Sequence, residues 1–475
     1  MPTAIKQENN TMRWRQHLFI ILWFAGAGML HADDCNLAEI ARTAADQYRA
    51  GKYRDAITSY RAVLPLVSEK DYPTGIPFRL YYGLGECYLE QEQYREALAA
   101  FRQAVEIAWL GPYDEYTLFD AYESIMCLGL QMQQPAITVE YGSRQLEALK
   151  RYPPQNHFFT TVNCRFLLGE GWLASGAYPE AIANFTECLN LLHRYPEKNP
   201  RVNINAYIGL VLAKLSMAES GRREYPAAMN RLREVLELFT AVPALTDADA
   251  YPDLNRAFAA AMAPMETEKP GDTPELGRFF QDLAGYYQDH RDHRRFTHYQ
   301  QKALRVFLRQ QNAAAAAASR AELAAAQLPA DPARAAATIT AALKMLPEKV
   351  GRSDDAARVF FLAGKIFRCR HQPDRSRYYL LRAAAALPQL PEPLPAARIL
   401  TAAGQLLQQE QSYRGAIRCL RLAIDYARQN DSEPGRETVM QALTQLTAVL
   451  REAGQTTAAL QTVQETLRYR RKYFR

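Results

Sequence analysis

Turn-forming and bulky apolar residues follow one another along this chain in a recurring order. At Gly51-Lys52-Tyr53-Arg54-Asp55-Ala56 a turn residue is followed two places on by an aromatic one, three further by alanine, and four further by Tyr60. The same order recurs at Glu92-Gln93-Tyr94-Arg95-Glu96-Ala97 with Phe101, at Gly176-Ala177-Tyr178-Pro179-Glu180-Ala181 with Phe185, and at Gln411-Ser412-Tyr413-Arg414-Gly415-Ala416 with Leu420. Upstream of three of these lie Leu84-Gly85, Leu168-Gly169 and Ala403-Gly404, followed by Tyr88, Trp172 and Leu407. Apolar residues at helical spacing on either side of a turn predict helix pairs. Glycine in the first helix lets the second approach, the residue after the turn covers the crossing, alanine permits close contact, and the large residue one turn later fills the groove. Strand signals are almost absent.

This order resembles the tetratricopeptide repeat, a helix–turn–helix unit of about 34 residues. The alanine position recurs at Ala56, Ala97, Ala136, Ala181, Ala228, Arg295, Ala335, Ser376, Ala416 and Ala459, which gives about ten copies. The third, sixth and tenth lack much of the signature and rest on register alone. A spacing near 40 residues also suits HEAT and armadillo units. The glycine–tyrosine–alanine order decides for the tetratricopeptide family. The resemblance implies an all-α fold, a right-handed α-solenoid of stacked repeats. One 67-residue spacing marks an interruption at 241–275, rich in proline, read as a linker around a helical piece from Leu254 to Met262, or as a divergent repeat. It separates an array over 33–240 from one over 276–475.

Composition adds compartment more than chemistry. The chain has 475 residues, 48% hydrophobic and 23% charged, which excludes a disordered or low-complexity protein. Arg13 and Arg15 precede an uncharged run from Leu18 to Leu30, with a small residue at Ala32. That order reads as a secretory signal over residues 1–32. The expectation is an exported protein, periplasmic or extracellular, with retention of 18–30 as an inner-membrane anchor as the alternative. Asp34 before Cys35 argues against lipidation. The seven cysteines include no CxxC, so metal-ribbon and redox motifs lose their support. Cys164 and Cys188 fall on facing helices of one repeat and read as buried thiols, with a disulfide as the alternative.

Candidate chemistry is sparse. His290, His293 and His298 with Asp289 and Asp292 form the one histidine cluster, but Arg291, Arg294 and Arg295 would repel a cation, so it reads as solvated helix surface. Phosphate-binding, nucleophile-elbow and zinc-protease motifs do not occur. No cofactor, metal or catalytic residue is expected, and the chain is read as not an enzyme. The C-terminal Arg468-Tyr469-Arg470-Arg471-Lys472-Tyr473-Phe474-Arg475 reads as an end cap, with peripheral contact to an anionic membrane surface as the alternative.

The resemblance also implies function. In that family the first helices line a groove that takes peptides or protein segments. Projecting its groove positions gives Tyr82 and Glu86, Phe166 and Glu170, and Phe361 and Lys365, with Arg368 one turn further on. The expected protein is therefore an exported scaffold that binds other proteins through that groove and does not bind nucleic acid. The alternative is a membrane-tethered accessory subunit of an envelope assembly or secretion complex that recruits an enzyme.

Overall fold

The computed structural model describes residues 32–67, 71, 75–108, 115–152, 157–194, 203–267, 271, 273–347, 353–387 and 393–474, the side chains of 32–38 and 274 excepted. The export reading thus falls on residues outside this description, save Ala32. Among the described residues there are α-helices and short 3-10 turns and no strand, the composition of an all-α repeat solenoid. No described helix is long and apolar enough to cross a membrane.

The chain divides into two compact units, Met1–Lys269 and Pro270–Arg475. The first holds five helix pairs: α1 (Ala32–Arg49) with α2 (Tyr53–Val63), α3 (Ile76–Glu90) with α4 (Tyr94–Ile107), α5 (Glu115–Gln131) with α6 (Pro135–Leu149), α7 (Phe158–Ala174) with α8 (Tyr178–Arg194), and α9 (Ile204–Gly221) with α10 (Tyr225–Ala241). A single helix, α11 (Pro252–Glu266), follows them. It packs on α9 and α10, where the first helix of a further pair would sit. Leu254 and Phe258 anchor it, the latter 5.3 Å from the ring of Phe239.

The second unit holds five more pairs. They are α12 (Pro274–Asp289) with α13 (His293–Arg309), α14 (Ala313–Gln327) with α15 (Pro332–Met345), α16 (Asp354–Cys369) with α17 (Pro373–Ala386), α18 (Pro393–Gln409) with α19 (Tyr413–Ala427), and α20 (Glu433–Glu452) with α21 (Thr456–Tyr473). Within each unit, first helices touch neighbouring first helices, as α5 does α7 and α16 does α14. Each second helix packs on its own partner and on the next first helix. First and second helices therefore make two layers.

Local signals account for the helix ends. Proline opens α6, α11, α12, α15, α17 and α18, where its missing N–H would have had no partner. Asn203, Asp292, Asn312, Asp331, Ser353 and Ser432 each accept a backbone N–H three residues on, the usual N-cap. In nine of the ten pairs the turn is a left-handed residue that closes two backbone bonds, and the α14–α15 turn is the exception. At Gly176 (φ 75°) the Ala177 N–H donates to Trp172 O at 2.9 Å and the Gly176 N–H to Leu173 O at 3.1 Å. Glu92 and Gln411 adopt the same conformation without being glycine.

The packing roles expected for the recurring order are seen. A Cβ placed on Gly85 would lie 2.8 Å from the ring of Phe101, and one on Gly169 would lie 2.5 Å from that of Phe185. Ala97, Ala181 and Ala416 are fully buried beside them. Truncating a ring such as Phe185, itself fully buried, would cost about 3–5 kcal/mol. Two of the weak copies shift register. Ala136 is exposed, and Thr138 makes the buried contact instead, its hydroxyl donating to Met126 O at 2.8 Å. Arg295 is likewise exposed and pairs with Asp292, while Phe296 beside it is buried. At Arg295 the charge keeps that position in water and leaves the contact to the apolar Phe296 beside it.

Candidate protein-binding face

The seven projected groove residues all stand on first helices, but they differ in what remains open. Tyr82 on α3 is half-buried, its ring 5.6 Å from Phe101 and 6.3 Å from Phe78. Glu86, one turn on, is only 6% exposed, and its Oε2 accepts from the Tyr48 hydroxyl of α1 at 3.3 Å. Phe166 on α7 is also buried, 5.9 Å from Phe185. Glu170 pairs with Lys214 of α9 at 2.7 Å, each side chain about a fifth exposed. In the second unit Phe361 is half-buried against the core, Lys365 is exposed, and Arg368 pairs with Glu410 beyond α18 at 3.4 Å.

A rule emerges from these contacts. Tyr48–Glu86, Glu170–Lys214 and Arg368–Glu410 each tie one repeat to its neighbour along the first-helix layer. Such partly shielded pairs hold side chains in place, and each adds little stability by itself. Glu86 and Phe166 are committed to packing. Tyr82, Phe361 and Lys365 keep surface that a partner could cover, with Glu170 and Arg368 held beside them in fixed orientations.

Burial governs the titrating groups nearby. It pushes the Cys87 thiol up to about 12, with the Glu86 and Glu90 carboxylates adding to the effect. Glu219 on α9 is lifted above the usual carboxylate range by burial, against the opposing pull of Arg231 at 3.4 Å. Cys164 and Cys188 are separate buried thiols that donate to Gly142 O at 3.3 Å and Val162 O at 3.6 Å.

The remaining singled-out groups separate in the same way. His290 closes α12 with its Nδ1 2.8 Å from Tyr286 O, His298 lies edge-on to Tyr299, and His293 begins α13 on the surface. No three metal-capable side chains converge among the described residues. The basic C-terminal run forms the last turns of α21, with Lys472 4.6 Å from the ring of Tyr473. One group escaped the sequence reading. His157 is 2% exposed, ringed by Tyr116, Phe119 and Tyr152 at 5.1–5.2 Å, with Glu115 at 3.3 Å. A lone histidine just before α7 gives no pattern that would reveal such a cage.

Helix pairs with this turn, this glycine–aromatic contact and this layering define a repeat solenoid. A tetratricopeptide repeat family model matches residues 36–108. Among curated proteins no sequence matches. Solved structures with similarity to the chain include YrrB, a TPR protein with an unusual peptide-binding site (15% identity over 46% of this chain and 98% of that one, TM-score 0.33). They include the apo form of RapI (14%, 74% and 97%, TM-score 0.31). A Podosopora anserina putative kinesin light chain with TPR-like repeats is a third (15%, 46% and 99%, TM-score 0.33). Residues 36–108 are thus tetratricopeptide-like by sequence, and the helix pairs that follow repeat the same layered arrangement.

Proposed function

We propose that this chain is an exported, non-enzymatic scaffold that binds protein segments along its first-helix layer. The observation that carries the reading is the set Phe361, Lys365 and Arg368 on α16. A half-buried ring offers apolar area, an exposed ammonium lies one turn away, and a guanidinium is held by Glu410. Aromatic area with ordered charge beside it suits an amphipathic segment, since the ring supplies contact and the charges set register. Stacked helix pairs make extended binding surfaces of this kind.

Cross-linking in an envelope extract, comparing the native chain with Lys365→Glu and Tyr82→Ala, tests it. Loss of the same protein partner in both variants is the expected result. An unchanged partner set would remove the first-helix layer from the interaction.

Export rests on the basic flank and the apolar run Leu18–Leu30. The same run supports the second reading, a membrane-tethered accessory subunit that recruits an enzyme to an envelope complex. N-terminal sequencing of the protein recovered from cells separates the two. A new N-terminus near residue 33 supports the free scaffold, and an intact 18–30 segment supports the tethered subunit. The exposed basic end of α21 is read as an additional contact with anionic lipid.

A further inference from the structure

Charge in this protein is segregated at two levels. The first unit carries 26 lysines and arginines against 32 aspartates and glutamates, net −6, and the second 31 against 19, net +12. Within the second unit the excess sits on one layer. The second helices α13, α15, α17, α19 and α21 hold 17 basic residues against 3 acidic, whereas the first helices hold 8 against 9. The second helices of the first unit, α2 to α10, hold 8 against 9. A general preference for arginine would have marked both units alike.

Apolar exposure follows the same layer. Every exposed large hydrophobic side chain described in the second unit lies on, or caps, a second helix. Leu308 is on α13, Tyr378 and Leu381 on α17, and Leu460, Val463 and Leu467 on α21, with Phe474 at its end. Around Leu381 the neighbours are basic. Leu381 reaches α19 at Gly415, next to exposed Arg414, with Arg418 and Arg421 following on the same helix. Arg428 pairs with Glu465 and so ties the end of α19 to α21.

From this coincidence we propose that the second-helix layer of the C-terminal unit lies against an anionic lipid surface. Its arginines meet headgroup phosphates, and Leu381, Leu460 and Leu467 enter the headgroup–acyl boundary. A polyanion of any kind satisfies the arginines. Aliphatic side chains gain from lipid and gain nothing from a phosphodiester chain, whose binders present stacking aromatics instead. The surface spans several helices, so it goes well beyond the basic end of α21, and it does not depend on the first-helix layer.

The test is partition of the full chain onto vesicles of phosphatidylcholine alone and with about 30% phosphatidylglycerol. The readout is the increment caused by the anionic lipid, because the 18–30 run would bind both alike. The triple variant Arg414→Glu, Arg418→Glu, Arg421→Glu changes exposed residues only, and folding is checked by circular dichroism. Its increment should fall roughly a hundredfold, from about fivefold for each of the three basic residues lost. Leu381→Ser with Leu467→Ser should also lower it, while Lys365→Glu on the other layer should leave it unchanged. No increment for the native chain, or one that survives the triple variant, overturns the proposal. So does charge-dependent binding of a single-stranded oligonucleotide with vesicle binding insensitive to the leucine pair.

Discussion

Arg278 at the start of α12 grips Asp355 at the start of α16 with both guanidinium nitrogens, Nη1 to Oδ1 at 2.8 Å, although the pair α14–α15 lies between them in sequence. The reach is short because α14 is built of alanine: Ala315 to Ala318, Ala321 and Ala324 are all fully buried. Gln281 bonds Ser319 and Arg358 pairs with Glu322, which clamps α14 from both sides.

Enlarging that helix should drive its neighbours apart. Ala317→Leu is expected to destabilise the second unit by about 1–3 kcal/mol through overpacking. Arg278→Ala alone should cost under about 1 kcal/mol, since the guanidinium is nearly half exposed. Urea midpoints for the two variants and their combination check this. If the Arg278→Ala loss stayed the same with Ala317→Leu present, α14 would not set the bridge.

Two glycines should respond to alanine with opposite signs. Gly169→Ala places a methyl 2.5 Å from the Phe185 ring and is expected to cost about 1–3 kcal/mol. Gly285 on α12 has nothing within 4 Å of that position, so Gly285→Ala should stabilise by about 0.5–1 kcal/mol through helix propensity. Thermal melts of the two variants decide. A loss at both sites would mean that the close approach at Gly169 is not the cause.

These glycines also show what could be read in advance. Gly85, Gly169 and Gly404 each sit sixteen residues before the ring or leucine they admit, within one helix pair, so the pattern is local and legible. The copies marked by Ala136 and Arg295 were misregistered by one or two residues. There the deciding event is which side chain loses the competition for the buried position. Arg278–Asp355 spans 77 residues and depends on how far a third helix lets two others approach, which no local pattern records. The charge layering was hidden because a net +6 averages two units of opposite sign. Phe166 matched a groove position by count, yet its ring is spent on Phe185.

Thiol chemistry should be confined to one described residue. Burial pushes Cys127 and Cys188 up to about 12 and Cys419 up to about 11, and it raises Cys164 further. Such groups stay protonated at pH 8; Cys164, Cys188 and Cys419 are buried and Cys127 is largely so, whereas Cys369 is exposed. A maleimide reagent applied to the native protein should modify Cys369 first and reach the buried thiols only after urea. Mass spectrometry of the digested product reads the order, and early labelling of Cys164 or Cys188 would contradict their burial.

Glu219 should make the first unit less stable at neutral pH than a neutral side chain would. Its folded pKa lies above the unfolded one, so the ionised form is the one that folding disfavours. That cost is fully present above the raised pKa and disappears as pH falls below the ordinary carboxylate value of about 4.3. Glu219→Gln should therefore raise the urea midpoint at pH 7 and match the native chain near pH 4. A gap of equal size at both values would assign the effect to shape instead of charge.

The two layers of the C-terminal unit differ in chemistry as well as position. Lys365 and Phe361 stand on α16, and the arginine-rich surface runs over α13, α17, α19 and α21. Ligands of the two layers therefore do not compete for the same atoms. A chain held by one layer keeps the other available, so a segment captured by α16 would stay at high effective concentration near whatever the arginines hold. Tethering and capture become separable properties of a single stack of helices, each open to change by substitutions that leave the other alone.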